Sequence, residues 1–246
     1  MRQVTYAILE NEPLTPEVFR MRLAGDVSGI AAPGQFVNVA LPGLYLRRPI
    51  SVCDAGEGVL TLIYKRVGKG TDALSRMAPG QTLDALTGLG NGYDLSRAGD
   101  APLLIGGGVG VPPLYLLARR LRAQGRRVAV RLGFNTRAEV FYEDEFKALG
   151  CDTRVSTVDG SHGEKGFVTD ILPPEPSYYY ACGPEPMLRA VYRALRCPGE
   201  LSFEARMGCG FGACMGCTME VVGGYKRVCK DGPVLRKEEL LWNAQG

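Results

Sequence analysis

The sequence has few of the residues on which side-chain catalysis usually depends. It contains one histidine among 246 residues, His162, which stands in the polar segment DGSHGEKG. A lone loop histidine is usually only solvated. No catalytic side chain is therefore predicted, and the composition favours bound cofactors over histidine-based triads as the source of reactivity.

Strong charge and long apolar runs are also lacking. The formal net charge is +3 and the basic residues are scattered, so no nucleic-acid partner is expected. No stretch approaches 18 consecutive apolar residues, which predicts no membrane span. The first residues, MRQVTYAILENEPL, lack the apolar run of a signal peptide, and we expect a cytoplasmic protein.

Cysteine, by contrast, is well represented. The chain has eight cysteines, and without a secretion signal they indicate a reducing compartment and metal ligation rather than disulfides. Four of them, Cys53, Cys151, Cys182 and Cys197, are isolated among apolar neighbours, and we expect buried free thiols there.

The other four cysteines follow the spacing C-x4-C-x2-C-x11-C, at Cys209, Cys214, Cys217 and Cys229. The first three match the plant-type pattern for a [2Fe–2S] cluster, and the fourth follows a predicted strand–turn–strand segment. Glycines between the first three cysteines allow a tightly curved loop. Structural zinc is the alternative metal for these cysteines, although zinc sites favour two separated pairs of cysteines. The spacing therefore predicts a [2Fe–2S] cluster.

The order of apolar segments divides the chain into three predicted domains. Residues 1–98 contain six short alternating segments, which predict an antiparallel β-barrel with a short helix at Asp72–Met77 that Thr71 caps. Residues 99–198 alternate apolar strands, such as APLLIGG and SYYYACG, with helices, one of them predicted from Arg137, and this order predicts a parallel α/β sheet. Residues 199–246 form a small C-terminal module with the four cysteines, and its tail, 234–246, is expected to form a short helix or a partner contact.

Two strand ends in the α/β domain have the composition of a dinucleotide site. The first carries Gly106, Gly107, Gly108 and Gly110 and is followed by Pro112 at a helix start, where backbone N–H groups are free to bind a pyrophosphate. The second is the Cys182-Gly183-Pro184 turn before another helix. Because ligands bind beyond the carboxyl ends of strands in such sheets, one nucleotide is expected to contact both turns.

The barrel segments LRRPIS and LIYKRVGKGT have groups suited to a phosphate. Arg48 supplies a guanidinium and Ser51 a hydroxyl, while Gly70 and Thr71 belong to an N–H-rich turn. Either segment alone is compatible with an ordinary strand or turn, and their combination before an α/β domain favours cofactor binding.

These motifs together resemble the ferredoxin–NADP reductase superfamily. With the cysteine pattern added, RRPIS, IYKRVGKGT, GGGVGVPPLY, GFVTD, CGPEPML, EARMGCGFGAC and VCKDGPV look like the electron-transfer subunits of type B dihydroorotate dehydrogenase. The resemblance implies a subunit that binds FAD and a [2Fe–2S] cluster and acts in pyrimidine biosynthesis. It implies transfer of electrons from the FMN of a separate catalytic subunit, through the cluster and FAD, to NAD+, in a heterotetramer of two plus two subunits.

The resemblance also assigns residues by motif position. FAD contacts would come from Arg48, Pro49, Ile50, Ser51, Ile63, Tyr64, Lys65, Gly70 and Thr71. The superfamily often has an aromatic residue where Ile50 stands, so Tyr64 is the candidate for stacking on the flavin. Related reductase subunits that serve a ferredoxin or a hydrogenase share this plan and are an alternative, as are a self-contained reductase and a zinc-bearing nucleotide-binding module.

The coenzyme is assigned as NAD from the resemblance. Asn135, Thr136 and Arg137 follow the second parallel strand, where NAD sites often have an acidic residue. Arg137 is compatible with a 2′-phosphate, so these residues alone leave NADP open.

Overall fold

The computed structural model describes residues 1–244, and its N-terminal part is a closed barrel of six antiparallel strands. Their spatial order is β1-β2-β5-β4-β3-β6. In the last strand, TLDALTGL, every second side chain is buried, as expected where one face lines a barrel core. All six predicted strands are confirmed, at β1 (Arg2–Pro13), β2 (Val18–Ala24), β3 (Phe36–Val39), β4 (Arg48–Gly56), β5 (Val59–Lys65) and β6 (Thr82–Leu89).

A short helix, α1 (Lys69–Ser75), connects β5 to β6. It begins three residues before the predicted start at Asp72, so the expectation that Thr71 caps the helix from outside was wrong. Thr71 lies within the first turn, and its hydroxyl accepts the backbone N–H groups of Val67 at 2.9 Å and Gly68 at 3.3 Å.

The second part is a seven-stranded sheet in the order β10-β9-β8-β7-β11-β12-β15, parallel except for its last strand. The fully apolar strands predicted at LLIGG and YYYAC are at its centre, which is typical of a sheet covered on both faces. Its strands are β7 (Leu103–Gly107), β8 (Ala129–Phe134), β9 (Asp152–Thr157), β10 (Glu164–Lys165), β11 (Tyr179–Cys182), β12 (Gly199–Ser202) and β15 (Val234–Arg236).

Three helices accompany this sheet: α2 (Pro112–Ala123), α3 (Glu143–Ala148) and α4 (Glu185–Ala194). The helix predicted from Arg137 is interrupted, because Tyr142 adopts a left-handed conformation with φ of 66°. A 3-10 turn at Arg137–Glu139 precedes the break. The buried ring of Tyr142 packs edge-on against Tyr115 of α2, at 5.1 Å between the ring centroids. Tertiary packing therefore overrides the helical pattern of this segment.

The cysteine-rich module extends from the edge of the sheet. It consists of the cysteine loop and a hairpin of β13 (Thr218–Val221) and β14 (Gly224–Arg227), as the Gly223-Gly224 turn predicted. The segments on both sides of it, β12 and β15, belong to the larger sheet. The module also packs on the barrel, where Phe36 and Leu89 form one apolar cluster with Cys217 and Cys229.

The barrel and the sheet share an apolar seam. Ile63 of the barrel packs in the same buried cluster as Leu104 and Leu117 of the α/β part. At the rim of the seam, Arg119 of α2 pairs with the Asp54 carboxylate at 2.9 Å and donates to the Ala55 carbonyl at 2.8 Å. Contacts of this kind fix the barrel against the sheet and therefore fix the cleft between them.

The tail after β15 forms two 3-10 turns, at Lys237–Glu239 and Leu241–Ala244, rather than an α-helix. Trp242 packs against Tyr192 of α4 at 5.3 Å and against Phe203 at 5.6 Å between ring centroids. The last two residues of the predicted module 199–246 lie outside the described residues. In residues 1–244, no helix is long and apolar enough to cross a membrane.

Candidate functional site

The four cysteines of the C-x4-C-x2-C-x11-C pattern meet in one loop at the junction of barrel and hairpin. Cys214 is exposed, Cys209 is half-buried, and Cys217 and Cys229 are buried. The exposed side chains of Phe211 and Met215 mark the outer rim of this loop. The cysteine loop therefore reaches the surface, while Cys217 and Cys229 face the barrel.

The thiols associate as two pairs. The sulfur of Cys209 accepts the N–H groups of Ala213 at 3.2 Å and Cys214 at 3.4 Å, while the sulfur of Cys217 accepts the N–H of Cys229 at 3.4 Å. A [2Fe–2S] cluster takes two thiolates on each iron, so two neighbouring pairs of thiols are the arrangement that it needs. The pairs fit the cluster.

The backbone of the loop stabilises a thiolate at Cys209. Burial raises the pKa of this thiol, but N–H groups of Cys214, Phe211 and Ala213 point at the sulfur and hold its pKa at about 6. By contrast, burial and the neighbouring Cys217 raise the pKa of Cys229 to about 12. Iron ligands must be deprotonated, so Cys209, in the outer pair with Cys214, is prepared for metal, whereas Cys229, in the inner pair with Cys217, releases a proton when metal binds.

Close packing explains the glycines of the loop. Gly210 has φ of +77°, and a Cβ there would be 2.3 Å from the Asn38 amide nitrogen on β3. Arg227 supports the opposite side by donating to the Gly212 carbonyl at 3.0 Å and pairing with Asp231 at 2.9 Å. The loop is thus held between a barrel strand and its own hairpin.

The RRPIS segment forms the first half of β4, and its side chains alternate between the two faces of the barrel wall. Ile50 packs against the barrel core. Pro49 and Ser51 are opposite Asn38 and Phe36 of β3 in the strand register, so these four side chains share the outer face. Arg48 packs on α1, where a Cβ on Gly70 would be 2.3 Å from Nε of Arg48. Two predicted FAD residues, Arg48 and Gly70, are therefore in contact.

The side chains predicted on β5 are less accessible. Ile63 is buried in the interdomain seam, and Tyr64 is only 2% exposed. The Tyr64 ring stacks on Phe19, and its hydroxyl donates to Asn11 at 2.8 Å. The expectation that Tyr64 stacks on a flavin was wrong, because its ring has no exposed face. Lys65 is half-exposed and pairs with Glu17 at 2.9 Å.

The two strand ends that the sequence assigns to a dinucleotide site are in contact with each other. The strands β7 and β11 are parallel neighbours, with Gly106 opposite Cys182. A Cβ on Gly110 would be 2.3 Å from the Cys182 carbonyl oxygen, and one on Gly107 would be 2.4 Å from Met187 Sδ. Gly108 has open space around its Cα and a φ of +51°. Pro112 opens α2 within this edge.

A cavity of about 630 Å³ separates the barrel from this edge. The wall of this cavity comes from three segments that are far apart in sequence: Leu46–Pro49 before and within β4, Gly183–Leu188 at the start of α4, and Phe203–Met207, which leads directly to Cys209. In the nearby turn, burial raises the pKa of the Cys182 thiol to about 12, so this thiol stays protonated at neutral pH. The cavity therefore borders the RRPIS strand, the Cys182 turn and the entry to the cysteine loop.

The acidic residue after β8 is Glu139, which lies four positions beyond Asn135, where the pattern of NAD sites places an acid. The Glu139 carboxylate accepts the Asn135 side-chain N–H at 3.0 Å and its backbone N–H at 3.2 Å. Arg137 is exposed, and its backbone N–H donates to the Ser161 hydroxyl at 2.8 Å. Residue spacing alone did not identify Glu139, because the 3-10 turn folds it back toward Asn135.

His162 is not simply solvated. Its Nε2 lies 2.6 Å from the Glu143 carboxylate, and the His162 side chain is 32% exposed. These residues line a second cavity of about 220 Å³ with Arg137 and Tyr142. Lys147 and His162 keep the pKa of Glu143 below its usual value, against burial, which raises it.

Two functional segments were missed by sequence reasoning. Phe203–Met207 drew attention only as the start of the EARMGCGFGAC motif, and it lines the main cavity because β12 ends beside the Cys182 turn. Asn38 had only the signal of a polar residue within the apolar strand QFVNVAL. Its contact with the cysteine loop depends on tertiary structure.

Two protein-family models match separate parts of the chain. The iron–sulfur cluster binding domain of dihydroorotate dehydrogenase B matches residues 204–241. An oxidoreductase NAD-binding domain matches residues 104–193. The first contains all four paired cysteines and the second contains both glycine-rich strand ends.

Several curated relatives are similar over nearly their whole length. A protein of Bacillus caldolyticus named dihydroorotate dehydrogenase B (NAD(+)), electron transfer subunit, is 47% identical over 243 residues, covering 93% of this chain and 94% of the relative. One of the same name from Fusobacterium nucleatum is 44% identical over 243 residues, covering 92% and 93%.

Solved structures share the architecture. One described as the NADH-dependent reduced ferredoxin-NADP oxidoreductase aligns with a TM-score of 0.88 and 33% identity, covering 97% of this chain and 90% of that chain. A ferredoxin NADP+ reductase from Neisseria gonorrhoeae with bound FAD and NADP aligns with a TM-score of 0.68 and 16% identity, covering 79% and 90%. The second likeness shows the fold alone.

Proposed function

This chain belongs to the family of dihydroorotate dehydrogenase B electron transfer subunits, and from that premise we propose that its cysteine loop, main cavity and glycine-rich edge form one electron relay. The relay takes electrons from the FMN of a dihydroorotate-oxidising catalytic subunit and delivers them to NAD+. When bound, FAD exchanges a hydride with NAD and single electrons with an iron–sulfur cluster. The chain itself supplies positions, contacts and charge.

One observation carries this proposal. The main cavity borders the RRPIS strand, the Cys182-Gly183-Pro184 turn and the segment that enters the cysteine loop. A group bound there is therefore adjacent both to the dinucleotide edge and to the metal ligands.

Arg48 and Pro49 of the cavity wall, with the adjoining start of α1, fit an FAD. Arg48 offers a guanidinium for a phosphate, and the first turn of α1 has N–H groups without intrahelical partners beside the open Gly68. Pro49 and Ser51 present the outer face of β4 to the flavin. We propose contacts from Arg48, Pro49, Ser51, Gly70 and Thr71, and backbone contacts from Ile50, Ile63, Tyr64 and Lys65, since three of those side chains point into apolar cores.

The glycine-rich edge fits NAD. Gly106, Gly107, Gly108 and Gly110 let a pyrophosphate approach the backbone before α2. Because Pro112 has no N–H, the backbone donors would come from the glycine turn rather than from the first helical residue. Cys182, Gly183 and Pro184 would hold the nicotinamide end beside the main cavity. Glu139 is in position to accept the ribose hydroxyls and repel a 2′-phosphate, which supports NAD over NADP.

We propose Cys209, Cys214, Cys217 and Cys229 as the ligands of a [2Fe–2S] cluster, with one pair on each iron. The outer pair, with Phe211 and Met215 around it, would face the catalytic subunit, so that electrons enter at the surface. Two copies of each subunit would form a heterotetramer with two-fold symmetry, the commonest closed arrangement.

The three functional units are proposed as residues 1–98 for FAD, 99–198 for NAD and 199–246 for the cluster. The last unit is anchored by β12 and β15 in the sheet of the second. This anchoring supports a fixed distance between the cluster loop and the dinucleotide edge.

An anaerobic absorbance titration of the purified chain tests the proposal. We expect flavin and cluster absorbance bands that NADH bleaches together. Each chain should contain one flavin and the two iron atoms of one [2Fe–2S] cluster. A colourless protein, or zinc in place of iron, would overturn it. Bleaching by NADPH alone would favour the alternative suggested by the ferredoxin-linked structural neighbour, a reductase subunit with a different partner.

A further inference from the structure

Asn38 is a buried polar residue in an otherwise apolar barrel strand. It is 1% exposed and stands between Val37 and Val39, both fully buried in the barrel core. Its amide nitrogen donates to the Cys209 carbonyl oxygen at 3.1 Å. A barrel side chain therefore binds the backbone of a proposed cluster ligand directly.

The contact is tight. A Cβ on Gly210 would be 2.3 Å from the Asn38 amide nitrogen, so only glycine permits the loop to approach this closely. The backbone carbonyl oxygen of Asn38 also accepts a hydrogen bond from the Arg47 guanidinium at 3.3 Å, and Arg47 pairs with Asp84 of β6. These bonds hold β3 in place beneath the loop.

The same residue is adjacent to the main cavity. In the pairing of β3 with β4, Asn38 is opposite Pro49, which lines the cavity. Neighbouring strands are about 4.8 Å apart, and paired side chains share a face of the sheet. Asn38 thus lies between the Cys209 backbone and the cavity wall.

The other end of the amide has no partner. Asn38 Oδ1 is buried and accepts no hydrogen bond in the structure. Leaving a buried acceptor unpaired costs about 1–3 kcal/mol, so packing alone would favour an apolar residue here. The retained polarity indicates a requirement for the amide at this position.

We propose that Asn38 is a positioning residue that fixes the Cys209 side of the cluster loop on the barrel strand beside the cavity, and so sets the distance that electrons cross between the cluster loop and the cavity. The inference rests on the proposed function. For each NAD+ reduced to NADH, two electrons and one proton are taken up, and both electrons cross this distance one at a time.

Two variants and a matched control test the inference. Asn38→Ala removes the amide, while Asn38→Leu removes it and keeps the branched shape of the side chain. The control is Asn91→Ala, because Asn91 also joins barrel and cluster module through backbone groups, donating to the Val234 carbonyl at 2.7 Å, but it touches no cysteine.

The first measurement is hydrogen exchange of the loop, residues 208–214, in the purified chain. We expect exchange at least tenfold faster in both Asn38 variants than in Asn91→Ala. The second is the anaerobic rate at which NADH reduces the cluster, with the cluster midpoint potential. We expect at least tenfold slower reduction in the Asn38 variants, and the wild-type rate in Asn91→Ala.

Equal effects of the Asn38 variants and of Asn91→Ala would show an ordinary structural contact and overturn the inference. Wild-type exchange and reduction rates in Asn38→Leu would overturn it as well, even if Asn38→Ala fails to fold. Wild-type protein without flavin or iron would instead contradict the proposed function, and this is read from cofactor content before any variant is compared.

Discussion

Gly110 contacts the backbone of Cys182 so closely that a Cβ on Gly110 would be 2.3 Å from the Cys182 carbonyl oxygen. The two residues belong to the turn after β7 and to the end of β11, which are parallel neighbours. Their contact joins the two halves of the dinucleotide edge. The spacing of the edge is therefore set by the absence of one methyl group.

Gly110→Ala should separate these two turns. We expect about tenfold weaker NAD+ binding, since small displacements of a binding group are costly, with unchanged flavin and iron content. Isothermal titration of the purified chain with NAD+ measures the effect. Gly56→Ala is the matched control, because the nearest atom to its Cβ would be 3.5 Å away, at ordinary contact distance. Unchanged affinity in Gly110→Ala would contradict the proposed edge.

Cys214→Ser should abolish the cluster and spare the flavin. Cys214 belongs to the outer thiol pair, and the loss of one thiolate leaves one iron with a single cysteine. We expect loss of the cluster absorbance and of its EPR signal on reduction, while NADH still bleaches the flavin. Cys197→Ser, outside the cysteine loop, should retain both signals. Full iron content in Cys214→Ser would remove Cys214 from the ligand set.

Glu139→Gln should relax the preference for NAD. The carboxylate held by Asn135 repels a 2′-phosphate, and neutralising it removes about 1 kcal/mol of this discrimination, or roughly fivefold in relative affinity. Competitive binding of NAD+ and NADP+ to the purified chain measures the ratio. Asp100→Asn, at the opposite end of the sheet, should leave the ratio unchanged, and an unchanged ratio in Glu139→Gln would exclude Glu139 as the discriminating group.

Glu200 should make the stability of the protein depend on pH. Burial raises the pKa of its carboxyl to about 7, although the Asp94 N–H that it accepts at 3.0 Å lowers the pKa. Nearby Asp94 raises this pKa, whereas Arg97 and Arg236 lower it. The folded pKa exceeds the unfolded value of about 4.3, so the stabilising contribution is complete at lower pH and is lost as pH rises through about 7.

Glu200→Gln keeps the acceptor for Asp94 and removes the titration. We expect its thermal midpoint to rise relative to wild type between pH 5 and pH 8, by a few degrees or about 1–2 kcal/mol. The exposed Glu12→Gln serves as the control. A difference between Glu200→Gln and wild type that stays constant over this range would show that Glu200 does not titrate there.

The parts of the fold that depend on local pattern were predicted from sequence. The six barrel strands follow from alternating apolar residues, and the central strands β7 and β11 follow from continuous apolar runs between glycines. The cysteine spacing and the Gly223-Gly224 turn likewise determine the loop and hairpin. In each case the residues that specify the structure are neighbours in the chain.

The predictions were wrong where contacts between segments distant in sequence determine the local structure. Tyr64 was the candidate for stacking on a flavin, yet Phe19 and Asn11 enclose its side chain. The helix predicted from Arg137 breaks because the Tyr142 ring packs against Tyr115. Asn38 and Glu139 acquired their positions through tertiary contacts, so no spacing rule identified them.

Trp242 is the only tryptophan in the chain, and its ring lies against Phe203, which lines the main cavity. The tryptophan fluorescence of the chain, excited at wavelengths that tyrosine does not absorb, therefore comes from a single source beside the proposed flavin site. Tryptophan emission overlaps flavin absorption, so excitation energy would pass from the indole to a flavin in the cavity and the emission would be quenched. The chain thus contains its own optical probe for the filling of its central cleft, without any added dye.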